Sequence, residues 1–283
     1  MSSTLVTGGT GSFGQAFVRR LLLAPDTTRV CIFSRGEHAQ AAMRSALDDD
    51  PRLRWFIGDV RDKERLIRAL QGVEVVVHAA AQKRVESCEY NPGEMTKTNV
   101  FGAMNVIEAA ATAGVAKVVA LSTDKACGPI NAYGHSKALA ECLFLASNGT
   151  FGAHGPRFAV TRYGNVANSN GSLFPKWKAL IALGATEVPV TDPECTRFYM
   201  TLNEAVDLVL ATIESMPTTV VIPDWLPAYR LSDVAQALKV GMRVTGLPNW
   251  EKRHETMNGV FTSEFARRMT VEELREVLAN DSD

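Results

Sequence analysis

The chain has 283 residues, 46% of them hydrophobic and 22% charged, enough apolar content for one large buried core or two modest ones and too much for a disordered chain. Its formal net charge of -1 gives no long-range field for nucleic acid or an anionic membrane surface, so an anionic ligand must be held locally by Lys, Arg or backbone amides. Cys31, Cys88, Cys127, Cys142 and Cys195 stand apart without metal-ligand spacing, no segment reaches the roughly 20 apolar residues of a membrane span, and reduced thiols in a cytoplasm without a metal site are expected.

Along the chain, short β-branched runs alternate with longer helical patterns, the signature of βαβ units around a parallel sheet. Strands are predicted at 4–7, 29–33, 53–57, 74–78, 117–121 and 158–161, with helices filling most intervals. The most regular helix is predicted over 92–113, where Met95, Val100, Ala103, Val106, Ile107 and Ala110 recur near the 3.6-residue period and Gly114 follows as the stop. After Arg162 the texture changes to the Asn-, Ser- and Gly-rich "YGNVANSNGS", which opens a second, smaller region. Thr201 with Glu204, and Thr270 with Glu273, read as capping boxes that start two late helices. The acidic end "ANDSD" reads as a frayed tail.

The first strand runs into "VTGGTGSFG". Gly8, Gly11 and Gly14, with Thr10, Ser12 and Phe13 between them, precede an amphipathic helix bearing Phe17, Val18, Leu21 and Leu22. This context is that of a dinucleotide fingerprint, where the turn brings backbone close to a pyrophosphate at a helix N-terminus. The fold class that follows is α/β, a Rossmann-type doubly wound parallel sheet with a smaller C-terminal α/β substrate-binding region. Residues 1–162 would form the cofactor-binding domain, completed by about 192–215, and 163–283 mostly the substrate-binding region.

At the end of the second strand, "FSRGE" offers Ser34 and Arg35 where an NAD site usually carries an acid. A hydroxyl and a guanidinium suit a 2′-phosphate, which favours NADP over NAD; Glu37 in the acidic role is the alternative. Asp59 and Val60 in "GDVRD" fall at the adenine edge, and Ala79, Ala80 and Ala81 in "HAAAQKRV" let backbone lie against the cofactor. The fifth strand ends in Ser122, Thr123, Asp124 and Lys125. Tyr133 and Lys137 then share one face of the next helix, and an ammonium beside the phenol is expected to lower its pKa from roughly 10, making a general base.

"TGGTGSFG" with "YGHSK" resembles the extended short-chain dehydrogenase/reductases. Within that superfamily, "HAAAQKRVESCEYNPGE", "KTNVFGAMNVIEAA", "ALSTDKACGPINAYGHSK", "RYGNVANSNGSLFP" and "TRFYMTLNEAV" are similar to the inverting UDP-N-acetylglucosamine 4,6-dehydratases of pseudaminic-acid type. The resemblance implies that Thr123, Asp124, Lys125, Tyr133 and Lys137 are catalytic. Tyr133 would take the C4 hydroxyl proton, Ser122 or Thr123 would hold that oxygen, Lys125 would remove the C5 hydrogen, and a protonated Asp124 would donate to the departing C6 hydroxyl. It further implies that Lys83, Asn99, Ser122, Tyr163 and Asn165 contact NADP. Lys83, Thr123, Asp124, Lys125, Asn165, Ser172, Arg197 and Glu255 would contact UDP-N-acetylglucosamine, with Arg197 on the pyrophosphate. The product implied is UDP-2-acetamido-2,6-dideoxy-beta-L-arabino-hex-4-ulose, made by a dimer or hexamer. "WEKRHETM" matches the family's G-E-K-x-H-E segment except that Trp250 replaces Gly, and His254 reads as structural. A UDP-sugar 4-epimerase, a 5,6-dehydratase or a non-catalytic NADP-binding sensor are the alternative readings; retention of both Tyr133 and Lys137 argues against the sensor.

Overall fold

The computed structural model describes residues 3–152 and 154–280; positions 281–283 of the acidic tail lie outside them. The strands are β1 (Ser3–Thr7), β2 (Arg29–Ser34), β3 (Leu53–Ile57), β4 (Val75–His78), β5 (Lys117–Thr123), β6 (Arg157–Tyr163), β7 (Asn165–Val166), β8 (Glu187–Val190), β9 (Thr196–Met200), β10 (Val220–Val221), β11 (Ala228–Arg230) and β12 (Gly241–Val244). Among the described residues the large sheet has seven strands in the order β10-β6-β5-β4-β1-β2-β3, all parallel.

Such a sheet must be covered on both faces, which is why its strands read as nearly unbroken apolar runs. Val6, Ile32, Val77 and Val119 point to one side, where Phe17, Leu21, Val206 and Val209 from the helices Ser12–Leu23 and Leu202–Ser215 meet them. Leu5, Phe33, Val76 and Val118 point to the other, against Leu66, Val106 and Phe144 from Lys63–Ala69, Gly102–Ala113 and Ala132–Thr150. A third cluster, around Trp177, Val188, Tyr229 and Leu274, belongs to the later part of the chain. There β9 lies between β11 and β7, and β8 pairs with β12.

Each of the six strands predicted from sequence is present, and β5 and β6 run two residues further than expected. Their ladder continues through Ser122↔Arg162 and Thr123↔Tyr163, so Ser122 and Thr123 sit in a rigid strand rather than on a loop beyond it. Both capping boxes form. The predicted 92–113 helix is instead interrupted: Pro92–Thr96 and Gly102–Ala113 flank a π-turn at Lys97–Phe101. The wider turn breaks the 3.6 repeat and turns Asn99 toward the loop after β4. There Asn99 accepts from Gln82 N at 2.8 Å and donates to Gln82 O at 2.9 Å.

Candidate active site

The strand order reverses between β1 and β4, and at the C-terminal ends of these strands lies a cleft of about 1320 Å³, the expected ligand position in an open parallel sheet. Gly8 leaves β1 with φ +68, and a Cβ there would stand 2.9 Å from Ala80 N; only glycine accepts both the dihedral and the approach. The following helix starts at Gly11 with no side-chain cap, and Ser12, Phe13 and Gly14 of its first turn line the cleft. Uncapped amides at the positive end of a helix dipole suit an anionic diphosphate.

At the rim, Ser34, Arg35, Asp59 and Val60 line the wall, whereas Glu37 does not. Gln40 Nε2 holds Ser34 Oγ at 3.0 Å. The Asp59 carboxylate accepts from Arg61 N, Nε and Nη2 at 3.0, 3.0 and 2.8 Å, which leaves Arg35 as the charged group for a phosphate there. A hollow of this shape, closed by backbone at Gly8 and Ala80 and edged by a hydroxyl and a guanidinium, fits a nicotinamide dinucleotide.

At the opposite end Ser122, Thr123, Lys125, Tyr133, Lys137, Tyr163 and Asn165 converge. Asn131 caps the helix that carries Tyr133 and Lys137, accepting from Gly134 N at 2.7 Å. That helix presses so closely on the end of β5 that a Cβ at Gly134 would lie 2.4 Å from Lys125 O. Tyr133 and Lys137 are 8% and 5% exposed. Burial pushes the Tyr133 phenol up to about 12, with Lys125 and the Thr123 hydroxyl opposing it. The expected lowering by Lys137 is therefore corrected: the cation acting on the phenol is Lys125. Burial brings Lys137 down to about 8, with Glu141 opposing.

Lys125 Nζ stands 3.1 Å from Asp124 Oδ1 and 3.2 Å from Glu255 Oε1, with Asn165 Oδ1 at 3.4 Å. Asp124 is fully buried. Its Oδ1 accepts from the Thr123 hydroxyl at 3.0 Å, and its Oδ2 has no hydrogen-bond partner among the described residues. Burial raises the Asp124 pKa against the pull of Lys125, and Glu255 adds to the rise. For Lys125, burial works against the ammonium, but Asp124 and Glu255 outweigh it and raise the pKa. Burial and Glu255 thus favour the neutral form of Asp124, while the two carboxylates favour the charged form of Lys125.

Of the residues assigned from sequence to catalysis, cofactor or substrate, Asn99 and Asp124 do not line the cleft, nor does Glu37, the alternative to Arg35; the others do. Asn99 is 2% exposed and donates to Ser136 Oγ at 3.0 Å, which makes it a brace between the loop after β4 and the helix of Tyr133 rather than a wall residue. Asp124 lies one layer back, behind Thr123 and Lys125. Ser172 reaches the cleft as the N-cap of Leu173–Ala182. Arg197 lines it too, with Nη1 donating to Thr196 O and Arg253 O and Nη2 to Glu251. His254, expected to be a hydrogen-bonded structural residue, has its Nδ1 2.8 Å from Thr196 Oγ1.

A family model described as "Polysaccharide biosynthesis protein" matches residues 4–275. The chain belongs to that family. It is an extended short-chain dehydrogenase/reductase, and no described helix is long and apolar enough to cross a membrane. The UDP-N-acetylglucosamine 4,6-dehydratase (inverting) of Campylobacter jejuni subsp. jejuni serotype O:2 is 46% identical over 255 residues, covering 89% of this chain and 76% of that protein. The UDP-glucose 4-epimerase of Rickettsia akari is 43% identical over 262 residues, with the same two coverages of 89% and 76%. The X-ray structure of Pen from Bacillus thuringiensis superposes with a TM-score of 0.92 at 30% identity, covering 99% of this chain and 97% of that one.

In this short-chain dehydrogenase/reductase, sequence reading missed Arg84, Lys176 and Tyr229 on the cleft wall and Glu141 behind it. Glu141 accepts from Ser122 Oγ at 2.5 Å and from Arg162 Nε at 2.9 Å, while Arg162 also donates to Met257 O. Its signal was available: Tyr133, Lys137 and Glu141 repeat every four residues on one helix face. Tyr229 carried no such signal, because β11 reaches the cleft only through its antiparallel pairing with β9.

Proposed function

We propose that this enzyme dehydrates UDP-N-acetylglucosamine at C4 and C6 with NADP in the cleft, inverting C5 to give UDP-2-acetamido-2,6-dideoxy-beta-L-arabino-hex-4-ulose. The observation that carries the reading is the group of Thr123, Lys125 and Tyr133 on the cleft wall with Asp124 buried directly behind them, a nitrogen base backed by an acid at the end of the cleft where a sugar would meet the nicotinamide. The likeness to the Campylobacter jejuni dehydratase supports it. Residues 1–162 would serve chiefly the cofactor and 163–283 chiefly the nucleotide-sugar.

Gly8, Gly11, Ser12, Ser34 and Arg35 would hold NADP, which supplies the hydride acceptor at C4 and the hydride donor at C6 and so ends each turnover unchanged. Tyr133 takes the proton from the C4 hydroxyl, and Thr123 positions that oxygen. The 4-ketone so formed acidifies the C5 hydrogen. Lys125, once neutral, removes it. Asp124, behind the cleft wall, would supply through the Thr123 hydroxyl it is bonded to the proton with which the C6 hydroxyl leaves as water. Once the hydride is on C6, a proton reaches C5 from the opposite face and inverts that centre. Lys137 steadies Tyr133 from one helical turn away.

Epimerisation at C4 is the second reading, favoured by the likeness to the Rickettsia akari protein; it needs Tyr133 and Lys137 but leaves C5 and C6 untouched. Proton NMR of the protein with UDP-N-acetylglucosamine and catalytic NADP+ in deuterated water separates the two. A C6 methyl signal with deuterium at C5, both lost in Lys125→Ala, is the expected result. A C4 epimer without a methyl signal would overturn dehydration, and a D-xylo product would retain dehydration but deny inversion.

A further inference from the structure

The C5 base poses a difficulty that the geometry resolves. An amine removes a proton only when it is not itself protonated, yet Lys125 Nζ lies between two carboxylates at 3.1 and 3.2 Å. One of them, Glu255, is 2% exposed and enters from a distant part of the chain. The segment bearing it is seated on the loop after β5: Trp250 O accepts from Asn131 Nδ2 at 2.9 Å, and Lys252 Nζ donates to Cys127 O at 2.7 Å. Glu255 Oε1 faces Lys125, and its Oε2 lies 3.6 Å from Lys252 Nζ with no hydrogen-bond partner among the described residues.

We infer that Glu255 is a positioning residue that holds Lys125 in its ammonium form and so sets how readily that side chain becomes the C5 base. This rests on the dehydratase reading for its chemical meaning, although the pairing itself does not need a substrate. The groups facing Lys125 are Asp124 on its own turn, Tyr133 from the Ala132–Thr150 helix, Arg197 from β9, Tyr229 from β11, Asn165 from β7, and Glu255 with Lys252 from the late segment. Burial would raise Glu255, but Lys125, Arg197 and Lys252 outweigh it and hold it ionised. Asp124, by contrast, is driven toward its neutral form. Glu255, 2% exposed and 3.2 Å from Lys125 Nζ, is therefore a carboxylate that favours the charged form of Lys125 beside Asp124 at 3.1 Å.

The test is a pH titration of the Lys125 Nζ signal by nitrogen NMR in the NADP-loaded, substrate-free protein. Glu255→Gln keeps the size and the hydrogen-bonding edge but removes the charge, and Glu255→Asp is the conservative rescue. Lys125 should lose its proton at least one pH unit lower in Glu255→Gln than in the wild type, with Glu255→Asp between them. Each unit makes the neutral amine about tenfold more abundant at fixed pH but also a weaker base, so C5 deuterium exchange per oxidised substrate at pH 7 should rise severalfold in Glu255→Gln. An unshifted Lys125 titration overturns the inference, as does a variant whose only change is a higher KM. Should Glu255→Gln fail to fold, an unshifted Lys125 titration in Glu255→Asp does the same. A wild type that exchanges nothing at C5 overturns the dehydratase reading instead, and leaves the titration result standing.

Discussion

Glu141→Leu removes one half of a buried ion pair whose side chains are 7% (Glu141) and 13% (Arg162) exposed. It deletes the acceptor for Ser122 Oγ and for Arg162 Nε and Nη2 and leaves the Arg162 guanidinium charged in a nearly dry place. Breaking a buried pair by removing one partner costs about 3–5 kcal/mol, because the remaining charge has lost its compensation. In a chain of this size each kcal/mol moves the melting temperature by roughly 2–4 °C, so the midpoint should fall by roughly 6–20 °C. Arg162→Met alone should cost somewhat less, since Glu141 then keeps the Ser122 hydrogen bond and the nearby Lys137 charge but loses its ion pair. The double variant Glu141→Leu/Arg162→Met should recover much of the loss, because no charge is left stranded. Thermal and denaturant melts of the four proteins read the coupling directly. If the double variant is as unstable as the sum of the singles, Glu141 and Arg162 do not act as a pair and the reasoning fails.

Gly8→Ala combines a left-handed dihedral with a Cβ contact at 2.9 Å from Ala80 N, so NADP affinity measured by calorimetry should fall tenfold or more, the equivalent of about 1.4 kcal/mol. Lys137 has its pKa lowered to about 8, so it is charged below that pH and neutral above it. Oxidation at C4, if it needs the ammonium, should decline as pH rises through about 8, and Glu141→Gln should move that decline to lower pH because Glu141 favours the charged form. A pH profile that is flat from 7 to 10 would rule out a charged Lys137 in the step. Arg35→Ala should erode the proposed preference for NADP over NAD, read as the ratio of the two dissociation constants.

How much of this was legible in the sequence follows from the range of the interactions involved. The six strands could be read because each is a short run rich in apolar residues, largely buried in five of them and half-open in β3 at the sheet edge, a pattern local to five or so residues. Val220–Val221 could not, since two residues make no period and their pairing with β6 is decided elsewhere. Tyr133 and Lys137 reach the cleft together because four residues is close to one helical turn. The direction of the phenol's shift was misread because burial depends on what covers it, and here burial outweighs every nearby cation. The π-turn was hidden because Val100 and Ala103 continue an apolar pattern across it. The pairing of Lys125 with Glu255 joins residues far apart in sequence, and no periodicity links them.

The docking of the late segment on the loop after β5 has a consequence for the order in which the protein is made. Cys127 and Lys252 are separated by 125 positions, and at roughly 5–20 residues per second a ribosome needs on the order of 10 s to span that distance. During that interval the emerging chain already holds β1 to β6, the glycine-rich turn and the Tyr133 helix, while Lys125 has met Asp124 but not Glu255. A half-made enzyme could thus acquire its nucleotide cofactor before its elimination chemistry is assembled. Ligand-assisted folding of the first half would then prepare the surface onto which the last part of the chain must close.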